Sequence, residues 1–138
     1  MHKSLKKREC QRFEIPGSTI CYKKESFLLS RGNYTENFYP VLDISRGGVS
    51  FLAMERLSIN DKLQIKIFVT EGESPLLING TVKWVSVSPG KSYRYQIGVQ
   101  FHPYGKNKGH NEPESLERLK AYEKKFNLSG TVKNTFGI

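Results

Sequence analysis

The chain is poor in cysteine, in histidine and in long apolar runs, and each shortage removes a class of function. Its only cysteines are Cys10 and Cys21. They are too few for a disulfide framework and lack the C-x-x-C spacing of a zinc site. They read as two free thiols of a reducing compartment, with a Cys10–Cys21 bridge as the alternative. The three histidines, His2, His102 and His110, fall in the basic N-terminus and a later loop. Their spacing fits neither a metal site nor a catalytic triad. Gly47-Gly48 lacks the following Gly and Lys of a Walker loop, and no dinucleotide fingerprint occurs. The sequence therefore predicts neither an enzyme nor a protein with a resident metal or cofactor. No run of about 18 apolar residues is present, so no membrane span is expected. The opening MHKSLKKREC is basic without an apolar core, so no secretory signal is expected and the predicted compartment is the cytoplasm.

Acidic residues are also short: 22 Lys and Arg face 13 Asp and Glu, for a net charge of +9. That excess favours an anionic partner, whether nucleic acid, a phosphorylated small ligand or an acidic surface. Charge alone does not choose among them.

What is present suits one domain: 138 residues, 37% hydrophobic and 12% aromatic, enough for a real core. Residues 1–12 carry Lys3, Lys6, Lys7, Arg8 and Arg12 against Glu9 alone, which predicts a self-repelling, mobile arm. Phe13 and Ile15 offer apolar anchors, and Pro16-Gly17 a turn. Strands are predicted over 18–30, 34–44 and 48–53. Leu63, Ile65, Ile67 and Val69 alternate with Gln64, Lys66 and Phe68 over 62–70, a half-buried strand. In the strand 76–87, Ile78, Val82 and Trp84 share one parity. Tyr93, Tyr95, Ile97, Val99 and Phe101 alternate again. Strands joined by short turns, with no helix between them, predict a mainly β fold, a small antiparallel barrel. Residues 102–110 form a polar loop. Asn111 is then placed to cap a helix with Pro113 in its first turn. Leu116, Leu119, Tyr122 and Phe126 recur on one face, for packing on the barrel or for dimerisation. Leu128-Ser129-Gly130 is the predicted stop. The domain is thus expected over 13–127, with 128–138 a polar tail.

The stretch Val41 to Leu52 organises the rest. It reads as a strand end, a turn at Ser45-Arg46-Gly47-Gly48, and a strand start. Asp43 and Ser45 are two apart and point to one side of an extended backbone. The two glycines allow positive φ and close approach to the main chain. A carboxylate, a hydroxyl and bare N–H groups together suit a ligand that offers both donors and acceptors.

Arg8 to Arg12 is an R-x-x-x-R, and Asp43 to Gly48 a D-x-S-x-x-G. In this order, with the later strands Gly80-Thr81-Val82-Lys83-Trp84 and Ile97 to Phe101, they resemble the PilZ family of bacterial cyclic-di-GMP receptors. The similarity covers roughly residues 7 to 126. The resemblance implies a Greek-key barrel of about six strands with a following helix. It also implies a site for cyclic-di-GMP made of Arg8, Arg12, Asp43, Ser45, Gly47 and Gly48. Those types suit the ligand: an arginine fork matches guanine N7 and O6, a carboxylate accepts from the opposite edge, and arginine and backbone N–H groups suit the phosphates. Lys7 stands where the family varies and is a candidate determinant of whether one ligand or a stacked pair binds. Arg46 and Gly98 are further candidates. The implied mechanism folds the arm over the nucleotide and changes the surface offered to a downstream protein, by a monomer or a homodimer. Two other readings stay open. Tyr93, Tyr95 and Phe101 could stack bases of single-stranded nucleic acid, although their alternation is that of core positions. A PilZ-like adaptor without the nucleotide is the other, against which both motifs stand intact.

Overall fold

The computed structural model describes residues 11–25, 33–69 and 71–137, and side chains of the final helix as far as Phe126. Its strands are β1 (Thr19–Lys24), β2 (Tyr39–Ile44), β3 (Gly48–Ala53), β4 (Lys62–Phe68), β5 (Leu76–Val87) and β6 (Tyr95–Phe101), followed by a helix, α1 (Pro113–Gly137). All pairings are antiparallel. The strands close into a barrel in the order β1-β2-β3-β6-β5-β4. Because β3 lies beside β6 and not beside β4, residues 54–61 must cross a barrel end, which is the Greek-key connection. Leu57, on that crossing, is buried in the core.

The alternation legible in 62–70 places Leu63, Ile65 and Ile67 wholly inside. They meet Ile20, Phe51, Ile78, Val82 and Ile97 from the surrounding strands. Tyr22 packs its ring on Phe51, centroids 5.7 Å apart, and its hydroxyl donates to Glu55 Oε1 at 3.2 Å. Strand ends differ modestly from the sequence expectation. β1 stops at Lys24 and β2 begins at Tyr39; Phe27 to Leu29 and the turn at Arg31-Gly32 lie outside the described residues.

Two register shifts break the alternation. One lies between Val41 and Asp43 on β2, the other between Val82 and Trp84 on β5. Each inserts one residue into its strand and turns the later residues to the opposite face. Val82 pairs with inward Val99, but Trp84 pairs with outward Gly98. The predicted common parity of Ile78, Val82 and Trp84 therefore fails at Trp84.

Helix α1 buries Leu119 completely, and Tyr122 and Phe126 pack beside it. Arg118 donates to Ser74 O at 2.8 Å, and Tyr122 Oη to Glu73 Oε1 at 2.9 Å, tying the helix to the β4–β5 loop. Pro113 takes the first helical position as expected, where a missing N–H costs nothing. Asn111 does not cap. Its amide is buried and spent on β5 and its neighbour. Oδ1 accepts the Asn79 N–H at 2.7 Å, while Nδ2 donates to Asn79 O at 3.0 Å and His102 O at 2.9 Å. Nor does the helix stop at Gly130; its backbone runs on to Gly137. A lone glycine costs a helix only about 1 kcal/mol, and no proline follows Pro113. Among the described residues no helix is long and apolar enough to cross a membrane.

Candidate functional site

The turn between β2 and β3 is bonded in every direction. Ser45 N–H donates to Gly48 O at 2.8 Å, and Ser45 Oγ accepts the Gly47 N–H at 3.1 Å. Hydroxyl-to-backbone bonds of this kind stabilise tight turns. Gly47 O accepts the Phe101 N–H at 2.8 Å, which joins the turn to β6. Arg46 O accepts the Tyr104 hydroxyl at 2.6 Å. The Arg46 guanidinium reaches α1, with Nε 2.9 Å from Glu123 Oε1 and Nη2 3.2 Å from Oε2.

Of the two uses expected of the glycines, positive φ and close approach to the main chain, only the second is seen. Neither Gly47 nor Gly48 has positive φ; among the described glycines Gly17, Gly72 and Gly109 do. Gly48 is needed for close approach, since a Cβ there would stand 2.5 Å from Val99 O. The Gly47 N–H is not bare, because Ser45 Oγ takes it.

The two bulges build a platform on the outside of the barrel. Asp43 lies opposite Ser50, Ser50 opposite Gly98, and Gly98 opposite Trp84, a row across β2, β3, β6 and β5. The buried Ser50 donates through Oγ to Asp43 Oδ1 at 2.8 Å, which holds that carboxylate oxygen toward β3. The indole of Trp84 occupies the space a Gly98 Cβ would need. Gly98 thus lets the indole come down against the sheet.

Phe13 brings in the arginine. It exchanges both backbone hydrogen bonds with Ile44, each 2.9 Å, and buries its ring in the core. That places Arg12 beside Asp43, Nη1 to Oδ1 3.9 Å. Arg12, Asp43, Ser45, Gly47, Gly48, Ser50, Lys83, Trp84, Gly98 and Gln100 line a cavity of about 550 Å³, with Val49 and Val99 at its floor. An anchored carboxylate acceptor, a guanidinium, an ammonium and an aromatic face converge there. Such a set can hold an anionic ligand that carries planar rings. Among the described residues no group of three or more His, Cys, Asp or Glu stands ready to hold a metal.

Of the expected site residues, Arg12, Asp43, Ser45, Gly47, Gly48 and Gly98 meet at this cavity. Arg46 does not line it, being engaged with Glu123. Arg8 and Lys7 lie outside the described residues. Sequence reasoning passed over Ser50, Lys83, Trp84 and Gln100. The signal for Trp84 was its rarity, the only tryptophan in the chain, which strict alternation had assigned to the core.

A model of the PilZ domain family matches residues 6–119. No curated protein matches the chain. Among solved structures, Escherichia coli YcgR in complex with c-di-GMP superposes with a TM-score of 0.65 at 14% identity, over 95% of this chain and 50% of that one. The c-di-GMP complex of K. pneumonia MrkH gives 0.63 at 20% identity, over 91% and 55%. The PilZ domain of E. coli YcgR with c-di-GMP gives 0.61 at 16%, over 93% and 97%. The chain thus spans about half the length of YcgR and MrkH and nearly all of the isolated domain. At such identities the likeness is one of fold, and it agrees with the six-stranded barrel and terminal helix. With the family model matched over most of its length, the chain belongs to the PilZ domain family.

Proposed function

We propose that this PilZ domain is a cyclic-di-GMP receptor, whose residues 1–12 close over the nucleotide and so alter the surface offered to a downstream protein. The observation that carries this is the meeting of Arg12 with Asp43 and the Ser45–Gly48 turn around one cavity. The two sequence motifs lie far apart in the chain, and a member of each lines the same space. The YcgR and MrkH structures of the same fold are described as c-di-GMP complexes, which favours the same ligand here. In this reading Asp43 accepts from the N–H edge of a guanine, Arg12 and Arg8 take guanine acceptors or phosphate, and the Trp84 indole receives a purine face. Lys7 and Lys83 supply further charge. The role is that of a receptor, not a catalyst.

General single-strand binding is less well supported. Phe101 is in the core, and Tyr93 and Tyr95 pack against it, so the aromatics that would stack bases are turned inward. Calorimetry of the purified chain with cyclic-di-GMP, beside an oligonucleotide at two salt concentrations, tests the reading. Saturable binding of the dinucleotide with weak salt dependence is expected. Binding of the oligonucleotide alone, falling steeply with salt, would refute it. Binding of neither would leave a protein-contact adaptor.

A further inference from the structure

The cavity turn is bonded to a helix that, among the described residues, contributes nothing to the cavity wall. Arg46 sits between Ser45 and Gly47, both cavity residues, and its guanidinium grips Glu123 of α1 with two parallel hydrogen bonds of 2.9 and 3.2 Å. The Glu123 side chain is 14% exposed and that of Arg46 39%, so the carboxylate end of the pair is shielded from water and salt more than in a fully exposed pair. A two-point fork fixes orientation as well as distance. One residue away, Ser45 Oγ holds the Gly47 N–H, so the pose of Arg46 and the pose of the cavity wall are set together. The Tyr104 hydroxyl on Arg46 O holds the same peptide from the loop side.

We infer that Glu123 is a positioning residue for the ligand turn, so that the seating of α1 sets the affinity of a cavity that Glu123 itself does not line. This rests on the reading of that cavity as a cyclic-di-GMP site. Its physical basis is preorganisation: a turn already held in its binding shape need not be ordered by the ligand. Linkage makes the effect reciprocal. A partner that pulled α1 away from the barrel would weaken nucleotide binding, and bound nucleotide would strengthen the hold on α1 by the same factor.

The test is calorimetry of the full chain with cyclic-di-GMP for wild type, Glu123→Gln, Arg46→Ala, the double variant and Glu117→Gln. Glu117 pairs with Lys120 on the exposed side of the same helix and serves as the control. Each single variant is expected to bind roughly 5-fold or more weakly. The double variant should be no weaker than the worse single one, because both remove one shared interaction. Glu117→Gln should bind as wild type. Singles that bind as wild type, losses that multiply in the double variant, or an equal loss in Glu117→Gln would each overturn the inference while leaving the nucleotide site standing. A wild-type chain that does not bind would sink both. Should Glu123→Gln fail to fold, Glu123→Asp, which keeps the charge and shortens the reach, is held to the same outcomes.

Discussion

Replacing Arg12 with alanine separates binding from folding. The Arg12 side chain is 64% exposed, and its ion pair with Asp43 is loose at 3.9 Å. An exposed pair of that geometry contributes between zero and about 1 kcal/mol. What anchors this segment is the backbone exchange between Phe13 and Ile44 and the buried Phe13 ring, none of which the substitution touches. The free protein should therefore melt within about 2–4 °C of wild type. The bound protein loses a two-point contact to a guanine edge or a phosphate, worth about 1–3 kcal/mol, or roughly 5- to 150-fold in Kd. Arg12→Lys keeps the charge and loses the fork, and should fall between. Calorimetry gives the affinities and differential scanning the melting temperatures. Unchanged affinity in Arg12→Ala would refute the assignment. A large fall in melting temperature would show that Arg12 holds the barrel together, which the exposure argues against.

The same geometry sets three further outcomes. Gly98→Ala places a methyl group where the Trp84 indole lies; the ring must lift, so cyclic-di-GMP binding should weaken while Trp84, the only tryptophan, shifts its fluorescence. An unmoved emission spectrum would contradict the close contact of the indole with Gly98. Asn111→Ala removes three hydrogen bonds to Asn79 and His102 and should cost about 2–4 kcal/mol in denaturant unfolding; a loss below about 1 kcal/mol would mean water replaces the amide without penalty. Burial raises the phenol pKa of Tyr22, Tyr34 and Tyr122, and the Glu55 carboxylate adds to the effect at Tyr22. The unfolded chain ionises these near the ordinary value of 10 while the folded chain keeps the protons, so stability is full below about pH 10 and falls as pH rises beyond it. Tyrosinate absorbance of the folded protein tests this: ionisation of every tyrosine near pH 10 would rule it out.

The fold was readable because its strands carry strong local signals. Leu63, Ile65 and Ile67 alternate without interruption and are all buried, and β3 and β5 have the limits their turn residues predict. The turn at Ser45 to Gly48 was readable from composition. Which group each of its atoms would bind was not, because the partners Phe101, Tyr104 and Glu123 are distant in sequence. Asn111 illustrates the same limit. An asparagine just before a helical pattern fits a cap, but the paired donor and acceptor of the Asn79 backbone suit an amide side chain better, and that backbone comes close only once the barrel has closed.

The period-two rule failed at two places, and both lie at the cavity. Without the shift on β2, Asp43 would share the inward face of Val41, which pairs with the buried Phe51, and a carboxylate there would be costly to bury. Without the shift on β5, Trp84 would follow Val82 into a core already filled by Val99 and Ile97. A bulge disrupts the ladder and increases the local twist, yet it delivers a side chain to a face that alternation forbids. Two bulges on strands separated by β3 and β6 deliver an acceptor and an aromatic plane to opposite ends of the same row. Ser50 and Gly98, lying between them, are small enough to leave the row open and are themselves fixed by the ladder. The barrel can therefore keep an unbroken apolar interior and still carry a rigid polar and aromatic wall. Arg12, held in place by the backbone exchange between Phe13 and Ile44, then adds its guanidinium beside the acceptor end of that wall.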